Sequence, residues 1–253
     1  MRSVLATVVL IALVPLATLA QAAGPPEPVV VVHGAWGGGW DWKGVEGELR
    51  ARGRDVYRAT LTGQGERHHL ASPEIGLETH IRDVVNLIVW EQLEDVVLVG
   101  HSYGGMVITG VADRIPDRIG KLVYLDAMLP FDGECVVSIM GAREGECGDV
   151  SSLQGQSGGF IAPGWVQPDA VPPYDVPHPA RTLVDPLTLE GAPGEGKPAL
   201  YIVTREAPGQ PDGFDWAAER AAQLGWPVEE LVADHNPQRT HPSEVADLIL
   251  GRR

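Results

Sequence analysis

Asp95-Val96-Val97-Leu98-Val99-Gly100-His101-Ser102-Tyr103-Gly104 is the stretch that decides the fold of this chain. A short β-branched run ends in Gly-x-Ser-x-Gly, and a helix-compatible stretch from Met106 to Arg114 follows. Strand, sharp elbow and helix in that order lift a serine hydroxyl clear of a sheet edge. The residues two before and two after the serine, Gly100 and Gly104, are glycines because a Cβ there would clash across the turn. The same turn points the next backbone N–H, that of Tyr103, at the space above Ser102.

Working outward, Pro28 to Val32 is a continuous apolar run, as expected for a strand buried on both faces. Asp55 to Ala59 is a weaker run, and Asp95 to Val99, Lys121 to Asp126, Pro198 to Val203 and Pro227 to Val232 complete the set. Helical patterns lie between them: Trp42 to Arg52 ending at Gly53, Leu77 to Gln92, Gly104 to Arg114, Phe214 to Leu224 ending at Gly225, and Ser243 to Leu250 beside Pro242. The alternation predicts an α/β fold, a mostly parallel sheet of about six strands with helices on both faces. Residues 130–197 break the rhythm and are rich in Gly, Pro and Ser. So long an irregular segment between two strands reads as a small cap over the serine.

The chain has 253 residues and a net charge of −15. That length suits one α/β domain. That charge repels phosphate backbones and anionic lipid, which argues against a nucleic-acid partner. Met1-Arg2-Ser3 precedes an apolar run from Val4 to Ala20 that contains Pro15, and Ala20-Gln21-Ala22 fits a small-x-small cleavage site. Residues 1–22 are therefore read as a secretory signal peptide, leaving 23–253 as the folded domain and predicting a secreted or periplasmic protein with no membrane attachment after cleavage. An uncleaved anchor is the competing reading, which Pro15 and the small-residue end disfavour. The only two cysteines, Cys135 and Cys147, lie close together in the irregular segment and fit one disulfide in an exported protein.

A serine hydroxyl needs a base, and the base needs an orienting partner. Of the eight histidines, His235 lies just past the sixth strand, at the carboxyl edge of the sheet, and is preferred over His241, whose place before Pro242 suits a helix entry. The acid has several candidates: Asp126 at the end of the fourth strand, Glu206 after the fifth, and Asp212 and Asp215 further along that loop. Two converging N–H donors are needed for an oxyanion. Tyr103 supplies one, and Ala35 in His33-Gly34-Ala35-Trp36-Gly37-Gly38-Gly39-Trp40 is the candidate for the other. That glycine loop lacks the Lys-Ser/Thr ending of a phosphate cradle. Trp36, Trp40 and Trp42 are expected to pack it on the core, with one of them lining the pocket as the alternative. His68-His69 has no accompanying metal-ligand pattern, so neither a metal nor another cofactor is implied.

Together, His33-Gly34-Ala35-Trp36…Trp40-Asp41-Trp42, Gly100-His101-Ser102-Tyr103-Gly104-Gly105 and Ala233-Asp234-His235 resemble the plant methylesterase and hydroxynitrile lyase branch of the α/β-hydrolase superfamily. The resemblance is closer still to bacterial esterase-like members of that branch. Leu61-Thr62-Gly63-Gln64-Gly65-Glu66-Arg67 and Leu122-Val123-Tyr124-Leu125-Asp126-Ala127 look like their signatures, and the likeness covers essentially the whole mature chain. It implies a cofactor-independent esterase acting on small carboxylic esters, with a small cap, a Ser–His–acid triad and an oxyanion hole from Ala35 and Tyr103. The plant branch carries an aspartate after the fifth strand, where this chain has Thr204-Arg205-Glu206-Ala207, and an uncharged residue where Asp126 stands. Asp126 is therefore taken first as the acid, with Glu206 as the alternative. Cyanohydrin-cleaving members have a lysine directly after the catalytic histidine. Asn236 stands here and argues against lyase chemistry; a non-catalytic ligand-binding descendant is the remaining alternative.

Overall fold

The computed structural model describes residues 26–141 and 147–252. The expected leader, residues 1–22, lies outside the described residues.

The apolar runs become strands because both of their faces are covered. The strands β1 (Val29–Val32), β2 (Val56–Ala59), β3 (Val96–His101) and β4 (Ile119–Leu125) alternate with the helices α1 (Lys43–Ala51), α2 (Leu77–Trp90) and α3 (Gly104–Arg114). After β4 come short elements: α4 (Val136–Ile139), the two-residue strands β5 (Gln156–Ser157), β6 (Phe160–Ile161) and β7 (His178–Pro179), and α5 (Arg181–Val184). The main rhythm resumes with β8 (Ala199–Arg205), α6 (Asp215–Gln223), β9 (Val228–Val232), α7 (Pro237–Thr240) and α8 (Pro242–Ile249).

Six strands form one sheet in the order β2-β1-β3-β4-β8-β9. Every pairing in it is parallel. Successive valines of β1 serve opposite layers. Val30 and Val32 pack with Ile81, Val84 and Ile88 of α2 and Met106 and Val107 of α3. Val29 and Val31 pack with Trp42, with Val45 and Leu49 of α1, and with Val245 and Ile249 of α8. Burying such side chains contributes roughly 1.5–3 kcal/mol each relative to exposure. The two edge strands depart furthest from continuous burial: β2 leaves Arg58 exposed, and β9 alternates exposed with half-buried positions.

The segment between β4 and β8 is an insertion with its own three-stranded antiparallel sheet, β5-β6-β7. It is joined to the loop after β1: Val176 N–H donates to Trp36 O at 2.8 Å, and Trp36 Nε1–H donates to Ile161 O at 2.9 Å. Within it Cys135 is bonded to Cys147.

The elbow is close-packed from below. A Cβ on Gly104 would stand 2.9 Å from the His33 and Val32 carbonyl oxygens, and one on Gly105 only 1.9 Å from Met128 O. Gly105→Ala should therefore cost about 2 kcal/mol or more of unfolding free energy, since backbone must move to admit the methyl. Gly47, exposed within α1, has nothing within 4 Å of its would-be Cβ. Gly47→Ala should instead stabilise by about 0.5–1 kcal/mol. Urea unfolding of the two variants checks both signs; a Gly105→Ala protein as stable as the parent would contradict the packing account.

Candidate active site

Ser102 sits between β3 and α3 with φ of +52°, a left-handed conformation that costs a side-chain-bearing residue of order 1–3 kcal/mol. Neighbouring backbone holds it there: Ser102 N–H donates to Leu125 O at 3.3 Å, while Ser102 O accepts from Gly105 N–H and Met128 N–H, each at 3.0 Å. The loop after β1 lies directly over it, since a Cβ on Gly34 would be 3.0 Å from Ser102 Cβ.

His235, in the loop after β9, reaches the serine across 133 residues, with Nε2 at 3.1 Å from Ser102 Oγ. Its Nδ1 lies 2.6 Å from Asp126 Oδ2. Nδ1–H donating to the carboxylate leaves Nε2 free to accept the serine proton, the orientation proton transfer requires. Asp126 is fully buried, and its other oxygen accepts Thr204 N–H at 3.1 Å. It too is left-handed, at φ +44°, and its own N–H donates to Ile202 O at 2.7 Å.

The alternative acid, Glu206, is exposed on the surface, so the carboxylate at His235 is that of Asp126. Asp212 caps the Phe214 amide and Asp215 pairs with Arg205. His241 bonds the neighbouring Thr240 hydroxyl, at the start of α8. Ala35 lies in the loop after β1, the loop whose Gly34 packs against Ser102, and Tyr103 directly follows the serine as the N-cap of α3.

Residues the sequence reading passed over complete the site. Phe214 stacks on one side of the His235 ring, 5.1 Å between centroids and 8° from parallel, and His101 lies 4.8 Å away. His101 Nε2–H donates to His235 O at 2.7 Å and its Nδ1 accepts from Gln238 Nε2 at 3.3 Å. A polar residue inside the Gly-x-Ser-x-Gly elbow was the one available signal. The cleft beside Ser102 holds about 370 Å³ and is walled by Trp36, Trp165, Asp41, Asp175 and Arg239. The three tryptophans thus part company: Trp42 is in the core, Trp40 lies beneath the Arg239 guanidinium, and Trp36 lines the cleft rather than the core.

A second polar cluster lies beneath the loop. Tyr103 O–H donates to His80 Nδ1 at 3.0 Å, and His80 Nε2–H donates to Thr62 O at 3.0 Å. Thr182 gives its hydroxyl proton to Pro179 O and lies 2.7 Å from His178 Nε2, while His178 Nδ1 lies 3.1 Å from Gln64 Oε1 and 3.3 Å from Trp36 N. Burial holds His33 and His80 down at about 4, and holds His101 and His178 well below the ordinary 6.5. Burial pushes the Asp41 carboxyl up to about 6, against the pull of Arg239.

This fold with this cleft defines a doubly wound hydrolase. The chain belongs to the alpha/beta hydrolase family, whose model matches residues 29–248. It is similar to a carbendazim hydrolyzing esterase of Nocardioides sp. (strain SG-4G), 37% identical over 244 residues that cover 87% of this chain and 97% of that protein. An esterase of Oryza sativa subsp. japonica is 26% identical, covering 87% of this chain and 93% of its own. Among solved structures, an extracellular alpha/beta-hydrolase from a Paenibacillus species matches with a TM-score of 0.71 at 27% identity, over 89% of this chain and 98% of that one.

The buried histidines set a pH dependence of stability. Their folded values lie below 6.5, so the unfolded chain takes up protons first as pH falls. The stability they lend is fully present above about pH 6.5 and is lost towards pH 4. At about 1.4 kcal/mol per pKa unit, His33 and His80 each account for roughly 3 kcal/mol of that loss. Asp41 works in the opposite direction between about pH 6 and 4, and Asp212, whose carboxyl burial also pushes up, adds to it; the four fully buried rings outweigh them. Urea unfolding at pH 7.5 and pH 4.5 should show a net loss of several kcal/mol; a flat profile would contradict neutral burial of these rings.

Proposed function

We propose that this chain is a serine-dependent carboxylic ester hydrolase acting on small esters through an acyl-enzyme. The observation that carries the reading is the hydrogen-bonded line from Ser102 through His235 to buried Asp126. His235 Nε2 takes the Ser102 proton as Oγ attacks the ester carbon. Asp126 holds the ring in the required tautomer and stabilises the imidazolium. The Ala35 and Tyr103 N–H groups take the charge that develops on the carbonyl oxygen. Collapse of the tetrahedral intermediate sends the His235 proton to the leaving alkoxide. Water, activated by the same imidazole, then releases the acid and restores Ser102.

The cleft supports a small ester, since about 370 Å³ is at the lower end of the range for small-molecule sites. The relative named for carbendazim hydrolysis makes carbamate esters a sensible second substrate class to assay. Export is part of the same proposal. It rests on the Val4 to Ala20 run and Ala20-Gln21-Ala22 in the sequence.

Ser102→Ala should abolish turnover of a short-chain p-nitrophenyl ester and labelling by a fluorophosphonate. Asp126→Asn should lower kcat about 10⁴-fold by favouring the wrong tautomer, while Glu206→Gln should stay within about twofold, as a surface change does. Steady-state kinetics on the three variants test the assignment, and Ser102→Ala with parental activity would overturn it.

A further inference from the structure

Arg239 follows His235 by four residues and is not needed for the chemistry above. Its Nε lies 2.7 Å from Asp41 Oδ1, and its Nη2 lies 2.6 Å from Asp41 Oδ1 and 3.0 Å from Asp175 Oδ1. Its guanidinium face lies 4.5 Å from the Trp40 ring centroid. Three chain segments therefore converge on one cation: the loop after β1, the insertion, and α7 beside the histidine loop.

The contact continues into the wall of the cleft. Asp175 Oδ2 accepts from Trp165 Nε1–H at 2.7 Å, and Trp165 meets Trp36 edge to face at 5.2 Å. Trp165 is 57% exposed and has little burial of its own to hold it. We propose that Arg239 is a positioning residue that clamps the insertion wall, through Asp175 and Trp165, against the loop after β1, so closing the serine cleft around its substrate.

The charges explain why one guanidinium is required. Without it, Asp41 and Asp175 would face each other with no counter-charge between them, and like charges at this spacing repel. Arginine can meet both carboxylates at its edge while stacking its face on Trp40, whereas lysine offers a single point charge. Because the clamp does not touch Ser102, His235 or Asp126, it governs binding of the ester more than bond breaking. This part rests on the esterase reading; the clamp itself does not.

The test uses Arg239→Met, Arg239→Lys and the double variant Arg239→Met/Asp175→Asn in the full chain. One readout is ester kinetics and the other is amide exchange of the 161–177 segment, where Val176 N–H bonds Trp36 O. Arg239→Met should raise KM at least fivefold with kcat within about threefold, and should speed exchange in 161–177 at least tenfold without changing exchange in 77–90. Arg239→Lys should fall between parent and Met. The double variant, freed of the carboxylate repulsion, should recover at least half of both effects on a logarithmic scale. Unchanged exchange in 161–177, a fall in kcat with KM unmoved, or no recovery in the double variant would each overturn the clamp. If the parent turns over no ester, the exchange measurement still decides the clamp while the esterase reading fails separately.

Discussion

Two neighbouring strands each end in a residue forced into left-handed backbone, and the rest of the site depends on that constraint. Ser102 follows β3 at φ +52° and Asp126 follows β4 at φ +44°. Non-glycine residues avoid this region, and each such position costs of order 1–3 kcal/mol. The strain is held because the amides are not free to relax. Ser102 N–H is committed to Leu125 O and Asp126 N–H to Ile202 O, in effect one extra rung on each side of β4. Parallel register from β3 to β8 thus turns two adjacent strand ends so that one imidazole can touch both side chains.

The strained elbow was legible because its signal is local. Gly100, Ser102 and Gly104 stand within five residues, and the glycines are required by atoms close in space: Gly104 has no room beside the His33 carbonyl. The strands were legible for a different reason. A sheet covered on both faces demands unbroken apolar runs, and β1 and β3 are buried at every position. Boundaries shifted where pairing, not composition, decides the end. Strand β8 runs on to Arg205 because Thr204 and Arg205 pair with Leu231 and Val232 of β9. The insertion gave no periodicity because its strands are two residues long, too short for alternation to register.

The acid was not legible from residue type alone. Asp126 and Glu206 both lie just past buried strands, and each could swing toward the histidine loop. What separates them is a dihedral angle and a rung of pairing, both of which arise only once β4 and β8 are side by side. Arg239 and His101 were illegible for a related reason. Their partners lie 198 and 134 residues away, at Asp41 and His235. A polar side chain with no local partner carries no pattern until the fold supplies one. Trp36 shows the converse, an apolar residue assigned to the core by type but drawn into the cleft by its backbone, held at φ +65°.

The proton economy of the cleft follows from burial. In the proposed reaction His235 becomes imidazolium, and Asp126 lies 2.6 Å from its Nδ1 to stabilise that charge. The nearest ring, His101, stands only 4.8 Å away. Were it charged, the repulsion at that distance would be roughly 3 kcal/mol at an effective dielectric near 20, about a hundredfold in rate if it were felt fully in the transition state. Full burial removes that penalty by holding His101 neutral. A neutral His101 is also bifunctional, donating through Nε2 to the His235 carbonyl while Nδ1 accepts from Gln238. Protonation would convert the Gln238 contact into donor against donor. The same desolvation that keeps charge off the neighbouring ring therefore fixes the tautomer that holds the histidine loop in place.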